Sequence, residues 1–326
     1  GKIRTTSVNV SASGQNTNFN ANYSYMDDEG FTPGNRLSKN TFGMGGNAKL
    51  SNNLTISGTF NYAITDFKAP PTSTSFGSNP STSSVFGNLI YTPIAVNLMG
   101  SPDDGSNYLP WENPVDRSSI YYRGGNDIQN PRWTVANAFT GQKVNRVFGN
   151  LQARYEVIKG LSLAYRVGFD QYADYNYLSQ NKGGTVGGSD YVLGVHRTAN
   201  GYNTIWDHTL QLDYLKDLDD NWNLNVNAGL NSQERIYSQN GQRSTRQLVY
   251  GLFDHDNFID HLNTSEGGGG LDFKSATQSI GAFAQATLGY KEFLYITAGG
   301  RNSWTSNLEK ANRSIFYPSG SISFVP

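Results

Sequence analysis

The stretch Leu54–Thr65, LTISGTFNYAIT, alternates apolar and polar side chains with a period of two. Successive side chains of a β-strand point to opposite faces of the sheet, so this stretch predicts a strand with one apolar and one polar face. It is longer than the roughly 5–6 residues of a usual globular strand, and it reaches the about 9–11 residues that a tilted strand needs to cross a membrane. The stretch therefore favours a membrane-spanning strand.

The same alternation recurs along the whole chain and predicts eleven strands. Leu161–Asp170 and Trp222–Asn231 are two further clear examples. The predicted strands cover residues 5–13, 17–26, 39–50, 53–66, 144–157, 161–176, 203–216, 222–236, 275–290, 293–303 and 314–325. Their length and number predict an all-β protein, an antiparallel up-and-down transmembrane β-barrel.

Short and long connections alternate between these strands. The short ones lie near residues 14–16, 51–53, 158–160, 217–220 and 291–292, and the long ones include about 67–143, 177–202 and 237–274. Membrane barrels have tight periplasmic turns and long extracellular loops, whereas a soluble β-sandwich has no reason to keep this alternation. The short connections are therefore predicted to face the periplasm.

The composition excludes several classes of protein. Charged residues make up only 16% of the chain, and 36 glycines argue against a helical fold. A formal net charge of −1 gives no support to nucleic-acid binding. There is no cysteine, and no apolar run reaches the about 18 residues of a transmembrane helix. We predict no cofactor and no enzymatic activity.

Eleven strands do not close an up-and-down barrel, because closure within one chain requires an even number. Residues 1–10 have neither the cationic nor the apolar region of a signal peptide, and residues 319–326 end within a strand pattern. We therefore expect residues 1–326 to be a partial barrel domain.

Five segments resemble, in the same order, the SusC/RagA family of TonB-linked outer-membrane proteins. They are Asn20–Gly30 with its Tyr-rich strand and Glu-Gly, Asn130–Trp133, Asn145–Leu151, Gly160–Gly168 and Phe316–Ser321 with its Phe-Tyr-Pro-Ser. No single segment is specific, but the ordered set spreads over nearly the whole chain. The chain thus looks like a TonB-dependent transporter in its barrel region.

The resemblance implies a location, partners and an activity. Family members are 22-stranded barrels of the bacterial outer membrane with an N-terminal plug, a TonB-box and a SusD-like surface lipoprotein as a lid. They import glycans or peptides with energy from the inner membrane. The resemblance therefore implies outer-membrane lipids, the TonB system and a glycan or peptide substrate as partners, with the plug and the last barrel strands outside this chain.

Barrel physics assigns roles to the two faces of the strands. Apolar positions would face lipid. Tyrosines at strand ends suit girdles at the membrane interfaces, and seven tyrosines fall toward strand ends or mid-strand: Tyr23, Tyr25, Tyr62, Tyr155, Tyr165, Tyr214 and Tyr290. Polar residues of the other face are predicted to line the lumen and bond to a plug: Arg154, Glu156, Arg166, Asp170, Gln211 and Asp213.

The long loop 67–143 carries the candidate ligand contacts. Sugars stack on aromatic rings and bond to carboxylates, and binding residues concentrate on loops. The candidates are Asp103, Asp104, Trp111, Glu112, Tyr121, Tyr122 and Trp133. The competing interpretation is that they pack the loop against itself or contact the lid. Within the same loop, helical spacing of apolar residues predicts a short helix in Val85–Met99.

A second loop concentrates possible metal ligands. Asp254, His255, Asp256 and Asp260 offer oxygen and imidazole groups for Ca²⁺ or a transition metal, although the glycine and terminal Glu of an EF-hand are missing. A solvated extracellular loop is the preferred interpretation of this segment. The neighbours Asp207 and His208 suggest hydrolysis only weakly, because His208 lies in a strand pattern and no Gly-x-Ser-x-Gly elbow is present.

Two other function classes stay open beside the importer. A passive porin or an adhesion barrel would share the strands but lack the plug and the TonB-box. A soluble β-protein that binds or hydrolyses carbohydrate is the third hypothesis, and the alternation of short and long connections argues against it.

Overall fold

A computed structural model of the protein describes residues 1–71, 84–101, 103, 105–122, 129–185, 192–265 and 268–325. Within them, twelve strands form a single antiparallel sheet. The strands are β1 Lys2–Ser13, β2 Thr17–Glu29, β3 Arg36–Lys49, β4 Leu54–Ala69, β5 Ala138–Ile158, β6 Leu161–Gln180, β7 Val195–Asp217, β8 Trp222–Gln247, β9 Phe258–Leu262, β10 Phe273–Tyr290, β11 Leu294–Thr305 and β12 Ser314–Phe324. Two helices, α1 Val85–Tyr91 and α2 Pro131–Asn137, and a 3-10 turn, His255–Asn257, lie in the long connections.

The strand order follows the sequence, so the sheet is an up-and-down meander. Each strand pairs with the next, except that β10 pairs with β8 and the short β9 lies beside β8 as well. Pairing of β8 with β10 ends at Gln239–Phe273, and β9 takes over the same edge from Arg243 to Gln247. The predicted up-and-down β fold is therefore confirmed, with β1 and β12 as the two ends of the sheet.

The eleven predicted strands are all present, and β9 is a twelfth that the alternation did not predict. It is only five residues long and lies inside the predicted loop 237–274. At the short turns the predicted limits agree with the structure to within about a residue. On the long-loop side the strands run further than predicted, so β5 begins at Ala138 instead of 144 and β8 continues to Gln247 instead of 236.

The pairing register gives the sheet one apolar and one polar face. Residues directly opposite each other share a face, and a typical row joins Leu163, Leu212, Ala228 and Ala284 across four strands. The register places the seven tyrosines named above on the apolar face. At the short-turn end, Trp222 packs against Tyr290, with ring centroids 4.6 Å apart, which is the position of an interfacial aromatic girdle.

Backbone conformation explains two of the short turns. Gly160, between β5 and β6, has φ +82, and a Cβ there would lie 2.2 Å from the carbonyl oxygen of Leu215. Only glycine meets both conditions without strain. Between β10 and β11 the amide of Phe293 donates to the carbonyl of Tyr290 at 3.1 Å, and Lys291 and Glu292 between them both have positive φ, 48 and 62, as a type I′ turn requires.

The helices are short and have identifiable ends. Ser84 caps the N-terminus of α1, and the helix ends at Tyr91 because Pro93 follows. The helix predicted within Val85–Met99 therefore forms only in the first half of that range. Asn130 caps α2 by accepting from the amide of Arg132, with Pro131 at the first helical position. Among the described residues no helix is long and apolar enough to span a membrane.

The buried core lies at the long-loop end of the sheet. Its most buried side chains are each at most 3% exposed: Trp133 of α2, Val195 at the start of β7, Phe258 of β9 and Leu271 in the loop after β9. Among the residues that the structure describes, none forms a second layer over either face of the middle of the sheet. The long connections therefore pack on one another there and fix one end of the strands.

Candidate functional site

The polar face of β5–β8 carries a network of ion pairs. Arg146 forms two hydrogen bonds to Asp170, at 2.8 and 2.5 Å. Arg154 lies 3.4 Å from a carboxylate oxygen of Asp213 and donates to the hydroxyl of Ser162 at 2.7 Å. The first pair joins the neighbouring strands β5 and β6, and the second reaches from β5 across β6 to β7. Each is partly exposed, so its net stabilisation is at most about 1 kcal/mol.

Amide side chains complete the network around the two central carboxylates. Asp213 accepts from Gln211 at 2.9 Å and also from Asn227. Asp207 accepts from Asn231 at 3.1 Å, and Arg166 is 3.9 Å away. The alternating Asn residues of β8 thus serve as donors to carboxylates on β7. This side of the sheet is wet and internally bonded.

The six residues predicted to line the lumen all lie on this polar face, as the register shows. Five of them bond to one another or to neighbouring strands. Glu156 is the exception, because it forms no salt bridge with any described residue. It lines an open cleft of about 460 Å³ together with Arg154, Gln211 and Asp213. Their predicted contact with a plug stays a prediction.

Asp207 and His208 point to opposite faces and cannot act together. Asp207 belongs to the polar network, whereas His208 shares the apolar face with Leu210 and Trp206. There the Nδ1 atom of His208 is 2.8 Å from the hydroxyl of Tyr165, and its ring stacks on both aromatic neighbours. An imidazole on an apolar surface needs such a partner, so His208 has a structural explanation.

The three long connections meet in a second polar cluster, the loop junction, defined by Glu112, Arg117, Asn137, Asn181 and Tyr250. Arg117 donates to Glu112 at 3.1 Å, and its guanidinium lies 3.9 Å from the ring centroid of Tyr250. Tyr250 donates to the side-chain oxygen of Asn137, which also accepts from Asn181 at 3.1 Å. Burial, and then the Glu112 carboxylate, raise the pKa of Tyr250 to about 12.

The loop junction accounts for part of the predicted ligand site. Glu112 bonds to Arg117 and, at 3.4 Å, to Asn137, so its carboxylate is engaged within the protein. Trp133 is completely buried, and its indole nitrogen donates to the carbonyl of Arg117 at 2.8 Å. A ligand contact by Trp133 therefore does not fit this structure, and packing explains the residue.

The other candidates of this loop are placed apart from the loop junction. Tyr121 and Tyr122 pack ring against ring, with centroids 4.3 Å apart, and both are half-buried. Trp111 lies beneath the guanidinium of Arg132, 6.0 Å away. Asp103 is exposed, and Asp104 lies outside the described residues. Of the aromatic candidates in this loop, Trp111 and the tyrosine pair thus keep accessible surface.

The predicted metal ligands do not converge. His255 lies 2.8 Å from the hydroxyl of Thr198 through Nε2 and 2.7 Å from that of Ser244 through Nδ1. Asp260 pairs with Arg246, which holds the pKa of that carboxyl below its usual range. Asp254 caps the 3-10 turn instead. In the described parts of the chain no group of three or more His, Asp or Glu side chains is arranged to hold a metal ion.

Several residues of the two clusters gave no signal in the sequence. Arg117 has φ +62, an uncommon conformation for a non-glycine residue, yet nothing in its neighbours predicts it. Asn137 and Tyr250 are 113 residues apart and meet only through the fold. Arg146 is the one with a usable signal, because the alternation of β5 places it on the same face as Arg154.

Known structures share this architecture. The RagAB peptide transporter superposes on 99% of this chain and 34% of its own, with a TM-score of 0.75 and 17% identity. The ferric citrate transporter FecA superposes on 98% of this chain and 38% of its own, with a TM-score of 0.56 and 9% identity. The ferripyoverdine receptor of Pseudomonas aeruginosa superposes on 99% of this chain and 39% of its own, with a TM-score of 0.53 and 14% identity. No family model and no curated protein matched the sequence.

These likenesses concern the fold, because every identity is below 25%. The chain spans only about a third of the length of the RagAB transporter chain that it matches. The strand order, the short turns and the long connections are nonetheless those predicted from the alternation of apolar and polar residues. The chain has the fold of a stretch of the β-barrel of TonB-dependent outer-membrane transporters.

Proposed function

We propose that this chain forms part of the wall of an outer-membrane importer that takes up a nutrient with energy delivered through TonB. The observation that carries the proposal is the separation of the two faces. From Leu54 to Ile64, and in the matching rows of β5–β7, the apolar face carries no formal charge, and Glu234 of β8, opposite Trp206, is the one charged residue that continues these rows. The three ion pairs within β5–β7 all lie on the polar face.

This separation suits a sheet with lipid on one side and water on the other. In hydrocarbon every backbone polar group needs an internal partner, which an open sheet provides everywhere except along β1 and β12. The proposal therefore includes further strands that pair with these two edges, and an N-terminal plug inside the completed barrel. Glu156 and the exposed sides of Arg154 and Arg166 are the proposed contacts with that plug.

The proposed substrate is an oligopeptide, with a glycan as the alternative. The similarity to the RagAB peptide transporter favours a peptide. Its contacts are assigned to the long-loop side, where Trp111, Tyr121 and Tyr122 expose aromatic surface and Asp103 a carboxylate. A SusD-like lipoprotein is the proposed lid over these loops, as the family resemblance implies.

Energy coupling separates this proposal from a passive porin or an adhesion barrel. The experiment measures uptake of a labelled oligopeptide mixture by cells that produce the full-length protein, in strains with and without TonB. We expect uptake to require both the protein and TonB. Uptake that persists without TonB would establish a porin, and a protein that stays in solution without detergent would rule out any membrane barrel.

A further inference from the structure

The apolar face ends, on the long-loop side, in a polar groove that crosses four strands. Its first row consists of Asn145, Ala173, Tyr202 and Ser238, which are direct neighbours in the register. The next row consists of Lys143, Tyr175, Asn200 and Asn240. Together they line an open cavity of about 480 Å³.

The height of this groove follows from strand geometry. A strand rises about 3.4 Å per residue, and a tilt of about 45° reduces this to about 2.4 Å along the membrane normal. Ala173 is twelve residues beyond Leu161 on the same face of β6, so it lies about 29 Å above the short-turn end. The apolar band of a membrane barrel is about 25 Å tall. The groove therefore lies just above the hydrocarbon, at the level of lipid headgroups.

The asparagine side chains of the groove lack hydrogen-bond partners among the described residues, in contrast to those of the polar face. On the polar face, Asn227 and Asn231 bond to carboxylates of β7. In the groove, no hydrogen bond to any described residue is made by the side chains of Asn145, Asn200 or Asn240, and all three are exposed. Amides placed in two rows beside lipid, with free donors and acceptors, fit a polyhydroxylated partner.

Two further features narrow the chemistry of that partner. Tyr175 and Tyr202 stand in adjacent rows and offer ring surface of the kind on which sugars stack. Lys143 supplies the cation, and its contact to Asp66 is long, 3.7 Å, with both side chains about half exposed. Such a contact stabilises little, and the ammonium remains accessible to an anion.

We infer that this groove binds the phosphorylated saccharide headgroup of a glycolipid in the outer leaflet, with the acyl chains lying along the apolar band below. Lys143 contacts a phosphate, Asn145, Asn200 and Asn240 bond to hydroxyls, and Tyr202 stacks on a sugar ring. The inference rests on the proposed function only in that it needs the apolar face to lie in the outer membrane.

The test compares one lysine from each end of the apolar face, on opposite sides of the membrane. Lys143 lies in the groove, whereas Lys216 lies on the same face at the short-turn end of β7. Full-length protein is reconstituted in phosphatidylcholine nanodiscs with increasing fractions of lipopolysaccharide. Bound lipopolysaccharide is then counted by native mass spectrometry for wild type, Lys143→Ala/Asn200→Ala and Lys216→Ala. All the replaced side chains are exposed, and folding is checked by heat-modifiable migration in gels.

We expect Lys143→Ala/Asn200→Ala to weaken retention at least about fivefold, the effect of one basic residue at an anionic surface, and Lys216→Ala to leave it unchanged. Equal retention by all three proteins overturns the inference. So does equal binding of phosphatidylglycerol, which has the phosphate but no sugar, or of the deacylated saccharide in solution. If wild type retains lipopolysaccharide but shows no TonB-dependent uptake, the proposed function is refuted and the lipid site is not.

Discussion

A charge placed on the apolar face tests the assignment of the two faces most directly. Leu210 lies on the apolar face of β7, opposite Tyr165 and Leu230, and Gln211 next to it lies on the polar face. Leu210 is four residues from the girdle position Tyr214, which places it about 10 Å above that girdle and close to the middle of a band about 25 Å tall. Leu210→Arg and Gln211→Arg therefore put the same cation in lipid and in water.

The expected difference is large enough to measure. An arginine at the midplane of a barrel's lipid face costs about 2–4 kcal/mol, whereas Gln211→Arg adds a cation beside Asp213 and should change the unfolding free energy by less than about 0.5 kcal/mol. The cost expected for Leu210→Arg corresponds to a roughly 30-fold to 900-fold shift in the folded-to-unfolded ratio. Guanidinium titration of the full-length protein in lipid vesicles, followed by tryptophan fluorescence, measures it. Equal midpoints for both variants, or a lower one for Gln211→Arg, would refute the assignment.

Three further outcomes follow from single contacts. Tyr165→Phe removes the partner of His208 on the apolar face and should cost about 1–3 kcal/mol in the same titration, so an unchanged midpoint would show that the imidazole needs no partner. Arg117→Ala leaves Glu112 with one weak donor and should open the loop junction, seen as faster proteolysis of the long loops with no change in the strands; unaltered cleavage would mean that the junction does not depend on this arginine. Burial, and then His255, lower the pKa of His196 to about 4, so folding favours its neutral form: its contribution is complete above about pH 6.5 and is lost as the pH falls towards 4, by at most roughly 3 kcal/mol. Amide exchange at the long-loop end should therefore accelerate between pH 6.5 and 4 in wild type and much less in His196→Gln. The same pH dependence of exchange in both proteins would contradict the lowered pKa of His196.

The period of two predicted the fold because it records which medium each face meets. In the middle of every strand the two media differ strongly, so the contrast is strong and the strands are found. The short turns are also marked, since Asn, Asp and Gly cluster there, as in Ser51–Asn53 and Asp217–Asp220. These limits were predicted to within about a residue.

The same reasoning explains why the long-loop ends were missed. Beyond the apolar band both faces meet polar surroundings, and the contrast disappears although the hydrogen-bonded ladder continues. Ser238–Gln247 has the composition of a loop, because it contains Asn, Gly, Gln, Arg, Ser and Thr and no apolar residue. It nevertheless pairs with β7 up to Thr245. The unpredicted β9 depends on the same extension, because it bonds to the part of β8 that β10 leaves free.

The loop junction was beyond prediction for a different reason. Its members come from three connections that are far apart in sequence, and their types, such as Glu112 and Asn137, are ordinary loop residues. Trp111, Glu112 and the tyrosine pair were selected for their chemistry alone. That chemistry suits packing as well as binding, and only the contacts distinguish Trp133, which is buried, from Tyr121 and Tyr122, which keep an accessible surface.

The polar face has an asymmetry that bears on what it contacts. In the three ion pairs of β5–β7 the carboxylates are covered, with Asp170, Asp207 and Asp213 between 23% and 25% exposed. Their arginine partners remain about half exposed, from 46% to 51%. Cross-strand amides donate to Asp207 and Asp213, while the guanidinium groups keep donors to spare. A group that approaches this wall from within the barrel therefore meets hydrogen-bond donors and positive charge, although the ion pairs themselves balance. Acceptors and carboxylates, on a plug or on a passing peptide, are the complementary surface.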